Sequence, residues 1–200
     1  MKNIITKICL LFIFINGKAQ TPVLDLSQLG WENITGAYYK DTQNLLNPFV
    51  GTYIYSNGTT SFKIVLKKKE MPSVNASYYE DMIIGEYQYI ENGIQKVSTL
   101  GSLMFNHPDA WSYSMQGNFI IEGKELGCDE CADTEKRLQI NISDIPTERI
   151  GDLYIRRIMQ GSQAAITVNL RWDVNWRRRP SDPVTQPARI PNGTYVMIKQ

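Results

Sequence analysis

The sequence predicts an all-β chain folded as a single antiparallel barrel, with a two-sheet β-sandwich as the alternative, and three observations carry that expectation. Roughly eight to ten runs rich in β-branched and aromatic residues follow one another from Phe49 to Lys199. Turn signals separate them at regular spacing, Asn57-Gly58, Asn92-Gly93 and Asn192-Gly193 among them. Segments of helical periodicity are almost absent. Short strands joined in this way each bury one face, and a closed barrel or a sandwich covers all of those faces at once.

The first 19 residues read as a secretory signal rather than as part of the fold. Lys2 and Lys7 supply a positive start, Ile8 to Ile15 form an apolar run, and Gly17-Lys18-Ala19 places small residues at a cleavage position. Cleavage is expected before Gln20, leaving residues 20–200 as one domain. The apolar run is far shorter than the roughly 20 residues of a membrane helix, so no transmembrane segment is expected. Cys9 lies inside that run without the small residues that precede a lipidation cysteine, which argues against a lipid anchor. The signal takes three of the 21 basic side chains with it, so the remainder is slightly acidic against its 20 carboxylates. That balance speaks against electrostatic binding to nucleic acid. About 180 residues suit one domain with a sizeable core.

From Thr21 to Asn47 the pattern is irregular, with Leu24, Leu26, Leu29 and Trp31 spaced like a segment laid across something. Asp41 is placed to cap a short turn that Pro48 stops, a plug leading into the first strand. Phe49 to Leu66 is the clearest hairpin: Asn57-Gly58 tolerates the positive φ of a type I′ turn, and Phe62, Ile64 and Leu66 alternate with Ser61, Lys63 and Lys67. Lys67 to Pro72 reads as a charged, solvated loop. Tyr78 to Ile90 is one long strand in which Gly85 signals a bulge or bend, and Ile94 to Leu100 returns after the Asn92-Gly93 turn. After a loop from Gly101 to Ala110, Trp111–Met115 and Phe119–Ile121 flank Gln116-Gly117-Asn118 as a third hairpin. Glu122 to Glu135 is an acidic connector. Arg137–Ile142, Gly151–Met159 and Ala165–Trp172 are strands, the last with Ile166, Val168, Leu170 and Trp172 on one face. Four of the nine prolines lie between Asn175 and Asn192 and demand an extended surface loop. Thr194 to Lys199 is the last strand.

Two resemblances follow from these residues. Pro48-Phe-Val-Gly-Thr-Tyr53, a short plug running into a strand with Gly followed two residues later by an aromatic, resembles the start of a calycin barrel of lipocalin or avidin type. There the aromatic is ordinarily Trp, and here it is Tyr53. The resemblance implies a lipocalin-like antiparallel barrel. The signal, Asn47 to Tyr55, Tyr79 to Gly93 and the ending Pro191 to Gln200 together resemble an uncharacterised family of small exported Bacteroidota proteins. It implies export from a Gram-negative bacterium, to the periplasm or the cell surface, and supplies no functional residues.

Chemistry-bearing clusters are few. Cys128-Asp-Glu-Cys131 suits a structural disulfide in an exported protein. A redox pair would want cations or a helix N-terminus to lower the thiol pKa, and the neighbours Glu125, Asp129, Glu130 and Asp133 do the reverse. A zinc site needs two further ligands that nothing in the spacing supplies, although His107 and a carboxylate remain open as partners. His107, the one histidine, precedes Pro108 in a loop, and no serine sits in a Gly-x-Ser-x-Gly elbow. Glu80 and Glu86 share strand parity but lie about 20 Å apart on an extended strand, too far to act as a glycosidase pair. Trp172, Trp176 and Arg177-Arg178-Arg179 form the densest aromatic and cationic cluster, suited to a sugar, an apolar group or an anion. No catalytic residue, metal or cofactor is assigned.

The expected function is therefore non-catalytic. A small apolar or amphiphilic ligand would sit inside the barrel, with Tyr53, Tyr87, Trp172 and Trp176 as candidate lining residues. The alternative is a protein-interaction or envelope-associated module whose barrel is filled by its own side chains.

Overall fold

Strand periodicity, not helix propensity, builds this molecule. The computed structural model describes residues 21–30, 33–74, 77–172 and 186–200. The signal-like segment, Trp176 and the arginine triplet therefore lie outside the described residues. The strands are β1 (Val23–Asp25), β2 (Tyr38–Lys40), β3 (Gly51–Asn57), β4 (Thr60–Lys69), β5 (Ser73–Val74), β6 (Tyr78–Glu80), β7 (Met82–Glu91), β8 (Ile94–Ser98), β9 (Met115–Glu122), β10 (Lys136–Asp144), β11 (Arg149–Gln160), β12 (Gln163–Trp172) and β13 (Gly193–Lys199). Eight of them, β3, β4, β7 and β9 to β13, pair antiparallel around a closed barrel. Each pairs with its neighbours in chain order, and β13 closes on β3 through Ile198 opposite Ile54 and Lys199 opposite Tyr53. Closure excludes the sandwich, because a sandwich keeps free sheet edges where here the last strand meets the first.

Alternation fixes which side chains enter the barrel. Phe62, Ile64 and Leu66 of β4 point inward, as do Leu138, Ile140 and Ile142 of β10 and Ile166, Val168 and Leu170 of β12, all within one core cluster. The two ends are plugged. A 3-10 turn over Asn47–Phe49 buries Phe49 and, with it, Leu46. Asp41 caps the approach, accepting the main-chain N–H groups of Leu45 at 2.7 Å and Leu46 at 3.0 Å. At the opposite end Ile190, just before β13, is buried in the same core.

Several expectations need correction. Lys67–Lys69 is not a loop but the end of β4, held in the sheet by pairing with Ile84, Ile83 and Met82 of β7. The long strand from Tyr78 breaks at Asp81, whose carboxylate turns inward to accept hydrogen bonds, so Tyr78–Glu80 joins a second, small sheet instead. That sheet runs β1, β2, β6, β5, with the first three parallel. Gln116-Gly117-Asn118 is no turn either: it lies within β9, whose register against β10 shifts between Gln139 and Asn141. Gly117 and Asn118 together face Ile140, which makes this a β-bulge. Gly85 marks the level at which β7 leaves β9, its last partner there, before taking up β8 from Gln88 onward.

β7 is buried on both faces. Ile83 and Tyr87 face the barrel, whereas Met82 and Ile84 face outward beneath Tyr78, Ala110 and Tyr113. The small sheet and the 99–114 segment thus form an outer layer on one wall.

Candidate functional site

Of the predicted lining residues, Tyr53, Tyr87 and Trp172 are core, and Trp176 lies outside the described residues. Tyr53 is 2% exposed and its hydroxyl donates to the Phe49 carbonyl at 3.1 Å. Tyr87, at 0% exposure, donates to the Ser143 carbonyl at 2.9 Å. The Trp172 indole N–H donates to the Ile190 carbonyl at 2.7 Å, and the Tyr195 hydroxyl to that of Pro191 at 2.7 Å. Burial pushes the phenols of Tyr53 and Tyr87 up from their usual range and that of Tyr195 up to about 12. Phe62 packs edge-on against Tyr87, Tyr89 and Tyr195 with ring centroids 6.4, 6.2 and 5.1 Å apart. These aromatics fill the barrel, and Tyr53, Tyr87, Trp172 and Tyr195 satisfy their polar atoms on the main chain.

The outer layer leaves a different kind of space. A cleft of about 500 Å³ opens where β6, β7, β9 and β10 meet beneath the turn that carries Trp111. Trp111 and Phe119, 55% and 57% exposed, stand at it, and Tyr78 and Met82 add apolar surface. The polar lining is Gln116, Asn118, Gln139, Asn141 and Glu80. Among the described residues no lysine, arginine or histidine lines it.

Each polar group is positioned. Gln139 Nε2 and Asn141 Nδ2 donate to Asp152 Oδ1 of β11 at 3.1 and 3.2 Å. Asn118 Nδ2 donates to Glu80 Oε2 and to the Asp81 carbonyl, both at 2.9 Å. These bonds use both N–H groups of Asn118 and one each of Gln139 and Asn141, which leaves three amide oxygens as acceptors and two N–H groups as donors. Gln116 is 9% exposed, and its amide makes no hydrogen bond among the described residues. Burial raises the Glu80 carboxyl above the usual range, partly offset by the Asn118 hydrogen bond.

The aromatic platform is also anchored. Asp109 Oδ1 accepts the Ser112 N–H at 2.9 Å, and Ala110 and Tyr113, on either side of Trp111, are buried. The Tyr113 hydroxyl donates to the Phe105 carbonyl and accepts the His107 N–H, each at 3.2 Å. Glu86, buried on the outer face of β7, accepts the Ser114 N–H at 3.1 Å and so fixes the entry to β9. Phe119 owes its outward aim to the bulge, which offsets β9 by one residue between Gln116 and Phe119.

Other clusters are structural. Cys128 and Cys131 stand at disulfide distance, with Cα atoms 5.4 Å apart, inside the acidic connector. Arg156 braces that connector through Glu135 at 2.6 Å and Glu130 at 3.3 Å. Ser102 Oγ lies 3.3 Å from His107 Nε2, but among the described residues no carboxylate orients that ring.

None of the cleft residues was singled out as a binding residue from the sequence. They come from four strands and a turn, and the signal that could have found them is Gly117, a glycine within a β-rich run, which marks a bulge as readily as a turn.

Fold and site together define a closed eight-stranded antiparallel barrel with a filled interior and a polar-aromatic cleft on its outer wall. The chain belongs to the Family of unknown function (DUF6705), whose model matches residues 1–200. No curated protein and no solved structure matches it.

Proposed function

We propose that this is an exported, non-catalytic binding module in which the barrel is scaffold and recognition takes place on the outer wall. The observation that carries the reading is the state of the interior aromatics. Tyr53, Tyr87, Tyr195 and Trp172 each spend their polar atom on a main-chain carbonyl, and both barrel ends are plugged by the chain itself. An eight-stranded barrel is just wide enough either to be filled by side chains or to hold one small ligand, and this packing favours the first. Export is supported by the signal-like first 19 residues and by a cysteine pair at disulfide distance.

Native and denaturing mass spectrometry of protein directed to a periplasm tests this. The native and denatured masses should agree, the chain should begin at Gln20, and its mass should lie two hydrogens below the reduced formula. A native mass exceeding the chain by one defined apolar molecule would restore the interior-ligand reading.

A further inference from the structure

We infer that the outer cleft is a saccharide site that takes a neutral oligosaccharide, stacking sugar rings on Trp111 and Phe119 while Gln116, Asn118, Gln139 and Asn141 hydrogen-bond the hydroxyls. The inference rests on the outer-wall reading above and names the ligand class for it.

Three observations narrow the chemistry. First, two large aromatic rings are more than half exposed beside one cleft, on a turn and a bulge that the fold holds in place. A flat apolar face with a polar edge suits a ring-shaped ligand that is apolar on its faces and hydroxylated at its rim. Second, the polar groups are amides. Asn118 has both N–H groups committed and offers its carbonyl oxygen, Gln139 and Asn141 each keep one N–H beside a free oxygen, and Gln116 keeps donors and acceptor alike. Hydroxyls, which donate and accept, complement that set, whereas an alkyl chain would displace water from it without replacing the hydrogen bonds. Gln116 matters most here, because no described residue hydrogen-bonds its amide, and that amide reaches solvent at the cleft although the residue as a whole is buried. Third, among the described residues no cation lines the cleft and one carboxylate does, so there a phosphate, sulfate or uronate would meet repulsion rather than a partner. At about 500 Å³ the space falls within the range of roughly 300–1,000 Å³ typical of ligand clefts.

The test is an array of neutral and acidic glycans probed with the mature protein and with Trp111→Ala, Phe119→Ala and Gln116→Leu, followed by titration calorimetry on the neutral oligosaccharide that binds most strongly. Trp111 and Phe119 are exposed, so their truncation leaves folding intact, checked by unchanged thermal midpoints. The expected result is saturable binding of one or more neutral glycans, weakened at least tenfold by Trp111→Ala and several-fold by the other two. The inference is overturned if no neutral glycan binds the parent protein better than Trp111→Ala, or if binding is confined to acidic glycans. Either outcome leaves the mass comparison untouched, since that measurement involves no sugar, so the ligand class and the outer-wall reading can fail separately.

Discussion

At the scale of single residues, the ions in this protein are structural fasteners placed where the chain must stay joined. Asp81, fully buried between the small sheet and β7, accepts the Tyr38 hydroxyl at 2.5 Å and the Asp41 N–H at 3.1 Å, and it pairs with Lys68 at 3.3 Å. Lys68 also reaches Asp41 at 3.0 Å. Burial pulls the Lys68 ammonium down, but the two aspartates outweigh it and its pKa is raised overall. Asp144 does the same work at the far end, where it accepts the Arg189 N–H and Nε, each at 2.9 Å, and so holds the segment that carries Ile190. Burial raises the Asp144 carboxyl, yet the Arg189 hydrogen bonds dominate and leave it below its ordinary value of 3.8. A depressed carboxyl contributes stability that is present above about pH 4 and lost as pH falls through the folded value. Asp144→Asn should therefore be less stable than the parent by roughly 2 kcal/mol at pH 7. Urea unfolding at pH 7 and at pH 3 checks this: the difference between the two proteins should narrow at the lower pH.

At the scale of elements, what was legible in the sequence was whatever depended on neighbours along the chain. The β3–β4 hairpin forms, but its turn is Gly58-Thr59 rather than the type I′ turn expected of Asn57-Gly58: Asn57 pairs with Thr60 and only Gly58 takes a positive φ, 59°, while the alternation of β4, β10 and β12 assigns their inward faces. The capping aspartate and the cysteine pairing were legible for the same reason, whereas Pro48, expected to stop the turn, lies inside the 3-10 turn Asn47–Phe49 that forms the plug. Lys67–Lys69 was not, because a strand end is decided by its partner, and β7 extends far enough to pair all three lysines. The cleft was illegible for a related reason: amides from β9 and β10 become one lining only once the bulge at Gly117 has set their register. A Cβ on Gly117 would stand 2.9 Å from Ile140 Cα and 3.2 Å from the Gln139 carbonyl oxygen, with φ at +154°. Gly117→Ala should thus cost roughly 1–3 kcal/mol and weaken glycan binding as the strands part. Thermal melts with and without a bound oligosaccharide measure both effects.

At the scale of the whole molecule, closure separates what holds the fold from what faces a ligand. β13 meeting β3 closes the eight-strand ladder and leaves β8, paired with β7 alone, as the edge strand of that sheet, so recognition on the barrel wall itself falls to outward side chains. The inner side chains meanwhile form a single cluster that ties all eight strands together, so a loss there is felt as stability. Tyr87 and Trp111 sit on the two sides of this division: one is fully buried with its hydroxyl on the Ser143 carbonyl, the other is more than half exposed over the cleft. Tyr87→Phe removes one buried hydrogen bond and should cost about 1 kcal/mol in urea unfolding while leaving glycan affinity unchanged. Trp111→Ala should do the opposite, lowering affinity at constant unfolding midpoint. If instead Tyr87→Phe weakened binding and Trp111→Ala did not, the barrel interior would be the binding chamber and the outer cleft merely a gap between layers.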